Sequence, residues 1–149
     1  MTFIGIDPGS KGGVSVITDK EVYSYIYSDE NLKTTLTEYK DDKVFCVVEK
    51  VGAMPGQGVT SMFNFGKAFG YILGMLEANN IPYQLVTPQT WKKEFMLIHK
   101  DKNESIKVCK RLFPNVNLLP TSRCKKESDG MAESLLISEY ARRIYKCEK

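Results

Sequence analysis

At 149 residues, with 42% apolar and 26% charged side chains, the chain suits one globular domain spanning 1–149 and excludes a disordered polyelectrolyte. No apolar run nears the roughly 18 residues of a membrane span, and no basic-then-apolar leader opens the sequence, so no membrane role is expected. The net charge of +3 is mild but unevenly spread: Lys92, Lys93, Lys100, Lys102, Lys107, Lys110, Arg111, Arg123, Lys125 and Lys126 crowd one stretch, opposed there by Glu94, Asp101 and Glu104. Such a field attracts polyanions, and a solvated lysine-rich face is the plainer alternative.

In chain order, residues 2–7 form a short apolar run ending at Asp7. Residues 12–18 and 21–27 alternate, and the Asp19-Lys20 break between them is short enough for an antiparallel hairpin. Residues 29–40 carry Leu32, Leu36 and Tyr39 at helical spacing. The continuous apolar run 44–48 predicts a central strand buried on both faces, closed by Glu49. After a glycine-containing loop at 52–58, residues 61–79 predict a long helix with apolar residues around much of its circumference and Gly66, Gly70 and Gly74 on one stripe. An interior glycine costs about 1 kcal/mol relative to alanine. A stripe of three implies close approach by another backbone, either the chain's own sheet or a second copy of the helix. Residues 83–87 read as a strand, and Pro88 opens a short helix with Thr87 as its cap. A loop at 96–101, an amphipathic helix at 103–113 stopped by Pro114, and a polar connector at 115–127 follow. Ser128 caps a final helix towards Tyr145. Cys46, Cys109, Cys124 and Cys147 show no CxxC spacing, which favours free thiols in a reducing cytoplasm over zinc or disulfides.

The acids are placed where chemistry needs them. Asp7 and Glu49 each end an apolar strand, and a parallel pairing of those strands brings both to one sheet edge. Carboxylates so close stay charged when a cation sits between them. Asp129 and Glu133 lie four apart on one face of the final helix, although Asp129 near a helix start also suits the helix dipole. Glu127 and Glu139 read as surface acids, and His99, the sole histidine, as a loop residue. Four oxygen donors without a histidine cluster suit Mg²⁺, with Mn²⁺ as substitute, and not zinc. Two such ions would serve in-line phosphoryl displacement, with Lys102 adding positive charge at the phosphate.

Several motifs carry a resemblance. Ile4-Gly5-Ile6-Asp7-Pro8-Gly9-Ser10 resembles the opening motif of RuvC-like Holliday junction resolvases, and Val48-Glu49-Lys50 resembles their second acidic motif. Pro88-Gln89-Thr90-Trp91-Lys92 with the lysine-containing segment 100–113 resembles their middle region, and the run from Asp129 to Leu136 their acidic C-terminal helix. The likeness spans nearly the whole chain and is nearest to the small phage-encoded members, which would place the protein in the cytoplasm of a bacterial host. It implies an α/β, RNase H-like fold with a mixed five-stranded sheet flanked by helices. It also implies a homodimer through the helix bearing Gly66, Gly70 and Gly74, and Mg²⁺-dependent paired nicking of four-way junctions that leaves 5′-phosphate and 3′-hydroxyl ends. On matching positions, Asp7, Glu49, Asp129 and Glu133 would be metal ligands, and Lys102 a catalytic-site lysine. Lys92 would contact DNA, alongside Lys93, Lys100, Lys107, Lys125 and Lys126 of the basic stretch. Bacterial members carry two C-terminal aspartates three apart, whereas Gly130 precedes Glu133 by three here. They also carry an aromatic probe in the loop after the second acid, where Met54 is the apolar candidate in this chain.

Two rivals stand beside this reading. A non-catalytic junction-binding protein needs the lysines but not the acids. An actin-like or sugar-kinase-like nucleotide-binding domain would use the loop from Asp7 to Gly13 for phosphate, yet it requires a second such loop, and none is found in the sequence.

Overall fold

The computed structural model describes residues 1–50, 52, 53 and 55–147; the apolar probe considered at Met54 lies outside them. Five strands, β1 (Thr2–Asp7), β2 (Gly13–Ile17), β3 (Val22–Ile26), β4 (Val44–Glu49) and β5 (Tyr83–Val86), form one sheet in the order β3-β2-β1-β4-β5. β1–β2 and β2–β3 pair antiparallel, while β1–β4 and β4–β5 pair parallel, so the sheet is mixed as expected. The β2–β3 hairpin closes through Thr18 N–H to the Glu21 carbonyl at 2.9 Å, around Asp19-Lys20.

The helices are α1 (Asp29–Glu38), α2 (Val59–Ala78), α3 (Pro88–Glu94), α4 (Lys102–Leu112) and α5 (Asp129–Cys147). Their starts follow local chemistry. Ser28 accepts from Asn31 N–H, Thr87 from Thr90 N–H with Pro88 at the first turn, and Asp101 from Asn103 N–H at 2.8 Å. Ser128 does the same for α5, accepting from Met131 N–H at 3.2 Å. None of these helices is long and apolar enough to cross a membrane, and all four cysteines are free.

Strand alternation divides the core in two. Ile4, Ile6, Val14, Val16, Cys46 and Val48 face α1 and α2. Phe3, Ile17 and Val47 face the other way, against α5 and the aromatic pair Trp91 and Phe95. α5 lies directly on β1, because Gly5 lacks the Cβ that would overlap the Ser134 carbonyl oxygen. At the helix start, Gly130 is equally necessary: a Cβ there would overlap the Lys11 carbonyl oxygen in the loop after β1. These two contacts set the depth at which α5 docks, and so the position of its acids.

One expectation is corrected, and one of two alternatives is removed. Glu139 is not a surface acid: it is buried at 3% exposure and accepts from Arg142 at 2.7 and 2.8 Å and from Arg143 at 2.9 Å. The two guanidinium groups offset what burial costs, and Arg143 also reaches Glu94 at 2.7 Å. The glycine stripe of α2 does not pack on the chain's own sheet. Cβ atoms built on Gly66, Gly70 or Gly74 would meet nothing within 4 Å, and α2 buries only Ile72 and Leu76 completely. The stripe, with Phe63 at 70% exposure, faces away from the core.

Candidate active site

β1 and β4 run parallel with Ile6 opposite Val48, so the next residue of each strand, Asp7 and Glu49, stand abreast at one sheet edge. Pro8 offers no N–H to a ladder and stops β1 there. The docking of Gly130 on the loop after β1 then carries Asp129 and Glu133, one helical turn apart, to the same edge. The four acids drawn from strand ends and the final helix therefore gather at one end of the sheet. Asp7, Asp129 and Glu133 line one cleft of about 560 Å³ with Lys102, Gln57 and Phe65. A larger hollow, about 750 Å³, lies by Asn80 and Tyr83, but its lining holds the single carboxylate Glu77, so charge and not volume distinguishes the site.

The segment from α3 to α4 supplies a donor to three of these acids. Trp91 donates its indole N–H to Glu49 Oε2 at 2.7 Å. Lys92 Nζ lies 3.4 Å from Glu133 Oε1, and Ser105 donates its hydroxyl to the same oxygen at 3.2 Å. Lys102 Nζ lies 3.2 Å from Asp129 Oδ2. Asp7 differs: no hydrogen bond or ion pair reaches its carboxylate among the described residues.

Electrostatics follow from that layout. Burial pushes the Asp7 carboxyl well above the usual carboxylate range; Glu49 and Glu133 raise it further, Lys92 offsets part of this, and Asp129 adds to it. Burial also raises Glu49, against the opposing hydrogen bond from Trp91; Glu133 raises it and Lys92 lowers it. The Lys102 ammonium is held more firmly protonated by its hydrogen bond to Asp129 and by that acid's charge. The site thus carries more negative charge than its lysines balance, and an added cation would relieve it.

The donor set fits a hard divalent cation: every acid offers oxygen, and Asp7 lacks a partner among the described residues. Yet among the described residues no group of three or more His, Cys, Asp or Glu side chains converges at metal-holding distance. Glu133 and Asp129 are turned to their lysines, whose ammonium groups stand where added positive charge is wanted.

Of the other residues expected to act, Lys93, Lys100, Lys125 and Lys126 are exposed and form no ion pair among the described residues, whereas Lys107 is tied to Glu104 at 2.6 Å. His99 is an exposed loop residue, as expected. Sequence reasoning missed Trp91 and Ser105 as partners of the acids. A lone tryptophan in an otherwise polar helix was the available signal for the first; a serine in a lysine-rich helix gave none for the second.

No protein-family model matches the chain, and no curated protein sequence does. Solved structures do. RuvC of Thermus thermophilus in complex with a Holliday junction substrate matches with a TM-score of 0.63 and 14% identity, over 97% of this chain and 96% of that one. A second Thermus thermophilus RuvC structure matches with a TM-score of 0.59 and 16% identity, over 97% of both chains. The likeness establishes the fold: the mixed sheet with flanking helices is RNase H-like.

Proposed function

We propose that this chain is a metal-dependent endonuclease that resolves four-way junctions, and acts on related branched DNA, by paired nicking. The observation that carries the reading is Asp7: a half-buried carboxylate without a partner among the described residues, abreast of Glu49 and facing two further acids, in a cleft that Lys11 and Lys102 also line. Its fold is that of a protein whose structure holds a Holliday junction. In this reading 1–149 is one nuclease domain.

Asp7, Glu49, Asp129 and Glu133 would hold Mg²⁺ or Mn²⁺, two ions per site, and the bound cation supplies Lewis acidity to the attacking water and the scissile phosphate. The chain's own residues do the rest. Glu133 and Asp129, paired with Lys92 and Lys102 in this structure, would supply oxygen to the cation in their place, and both ammonium groups would then be free for the phosphate. Lys93, Lys100, Lys125 and Lys126, with Lys107 when it leaves Glu104, grip the flanking backbone without reading sequence. The open stripe of α2 pairs with a second copy, and that two-fold arrangement presents two clefts to a substrate of matching symmetry. Products carry 5′-phosphate and 3′-hydroxyl ends.

The test is cleavage of synthetic four-way junctions in Mg²⁺ by the wild type and Asp7→Asn. The variant is expected to bind junctions but to lose at least about 100-fold in cleavage rate, since one ligand of the cation is gone. Wild-type rates in the variant would defeat the reading. A second reading, a metal-free junction binder, draws on the Lys92–Glu133 and Lys102–Asp129 pairs, which already neutralise two acids. Tight binding by the wild type without cleavage under any divalent cation would select it.

A further inference from the structure

We propose that Trp91 is a positioning residue: its indole N–H fixes the Glu49 carboxylate so that the remaining oxygen faces Asp7 for a divalent cation. The inference rests on the metal-binding reading above and adds to it an element outside the acid set.

Trp91 is fully buried, and its Nε1 lies 2.7 Å from Glu49 Oε2 across 42 residues of chain. A buried indole N–H takes a partner because leaving it bare is costly. Many acceptors would satisfy that need, yet the one used is the strand-end acid beside Asp7. The donor itself cannot drift. Its helix is pinned at the start by the Thr87 cap and Pro88, and Phe95 meets its ring edge-on at 6.4 Å between centroids. The Lys92 ammonium lies 5.3 Å from the Trp91 ring centroid and also reaches Glu133. Two consecutive residues of α3 therefore hold carboxylates arriving from β4 and α5. A carboxylate with one oxygen engaged by a rigid donor retains one orientation instead of sampling several, and the entropy lost on binding an ion falls accordingly. Partners of this kind alter metal affinity by about 10–100-fold when removed.

The test uses the whole chain and Mn²⁺ alone, with free ion counted by electron paramagnetic resonance. Wild type, Trp91→Phe, Glu49→Gln and the double variant form a cycle. Trp91→Phe is expected to weaken Mn²⁺ binding about 10-fold or more in the wild-type background. In the Glu49→Gln background the same change should cost less than about twofold, because the residue it acts through no longer carries its charge. Undiminished affinity in Trp91→Phe, or an equal loss in both backgrounds, overturns the proposal and leaves Trp91 as packing only. If the wild type binds no Mn²⁺ that Asp7→Asn abolishes, the metal site fails, and this inference with it.

Should Trp91→Phe fail to fold, the wild type still decides. Trp91 is the sole tryptophan, so its indole gives a single N–H resonance. Glu49→Gln should move that resonance upfield, the control Glu104→Gln should not, and Mg²⁺ should shift it in the wild type but not in Asp7→Asn. A resonance indifferent to Glu49→Gln refutes the assignment.

Discussion

Asp7 keeps its carboxyl protonated to unusually high pH, because burial and the charges of Glu49 and Glu133 outweigh what Lys92 returns. The sign of the consequence is fixed by linkage. A group whose pKa is raised by folding stabilises the fold at low pH, and that contribution is lost as pH rises through the folded-state value. Without divalent cations, Asp7→Asn is therefore expected to raise stability near pH 7, on the order of 1 kcal/mol or about 2–4 °C in Tm, and to have no such effect at pH 3. Thermal melts across pH in a chelator check this. Saturating Mg²⁺ should reverse the ranking, stabilising the wild type and not the variant. A variant less stable than the wild type at pH 7 would mean that the carboxylate is paired after all. Glu139 shows the opposite arrangement. Burial raises its carboxyl, but hydrogen bonds from Arg142 and Arg143 outweigh this and hold it below the ordinary range. Glu139 is compensated by partners in the chain and Asp7 is not among the described residues, which separates a structural acid from a candidate ligand.

Among the elements, α5 and α2 have contrasting surfaces for a shared reason, the absence of a Cβ. On α5 the missing Cβ at Gly130 is filled by the loop after β1, and at β1 the missing Cβ of Gly5 is filled by α5 itself. On α2 the missing Cβ atoms at Gly66, Gly70 and Gly74 leave open space. Helix propensity alone disfavours that stripe by about 1 kcal/mol at each position, so leucine there should not weaken the isolated chain. Gly70→Leu is accordingly expected to keep or raise Tm at low protein concentration and, on the dimer proposed above, to shift the protein from dimer to monomer in sedimentation equilibrium. A dimer that survives Gly70→Leu would assign the stripe some other role, and a wild type that is monomeric at all concentrations would remove the dimer.

Across the whole molecule, the net charge of +3 does not say where the field lies: Lys107 is matched with Glu104, Lys110 with Glu127, and Arg142 and Arg143 with Glu139, while Lys93, Lys100, Lys125 and Lys126 form no ion pair among the described residues. Those left unmatched dominate salt dependence. Lys125→Ala with Lys126→Ala should lower the slope of log K against log salt by about 2 for junction DNA, and Lys107→Ala by less than about 1, measured by fluorescence anisotropy. Equal slopes in all proteins would place DNA on another face. The sequence by itself determined the strands, the hairpin, the Thr87 and Ser128 caps and the two strand-end acids, because alternation, capping residues and an acid closing an apolar run are features of neighbours in the chain. It also marked Asp129 and Glu133 as sharing a face, since four residues make about one helical turn. Only the tertiary structure decided that Trp91 meets Glu49, that Lys92 meets Glu133, that Glu139 is buried and that the α2 glycines face outward. Periodicity records that a face is covered, not by what. Those pairings depend on the depth and tilt at which whole elements dock, which contacts such as Gly130 on Lys11 fix across more than a hundred residues of chain.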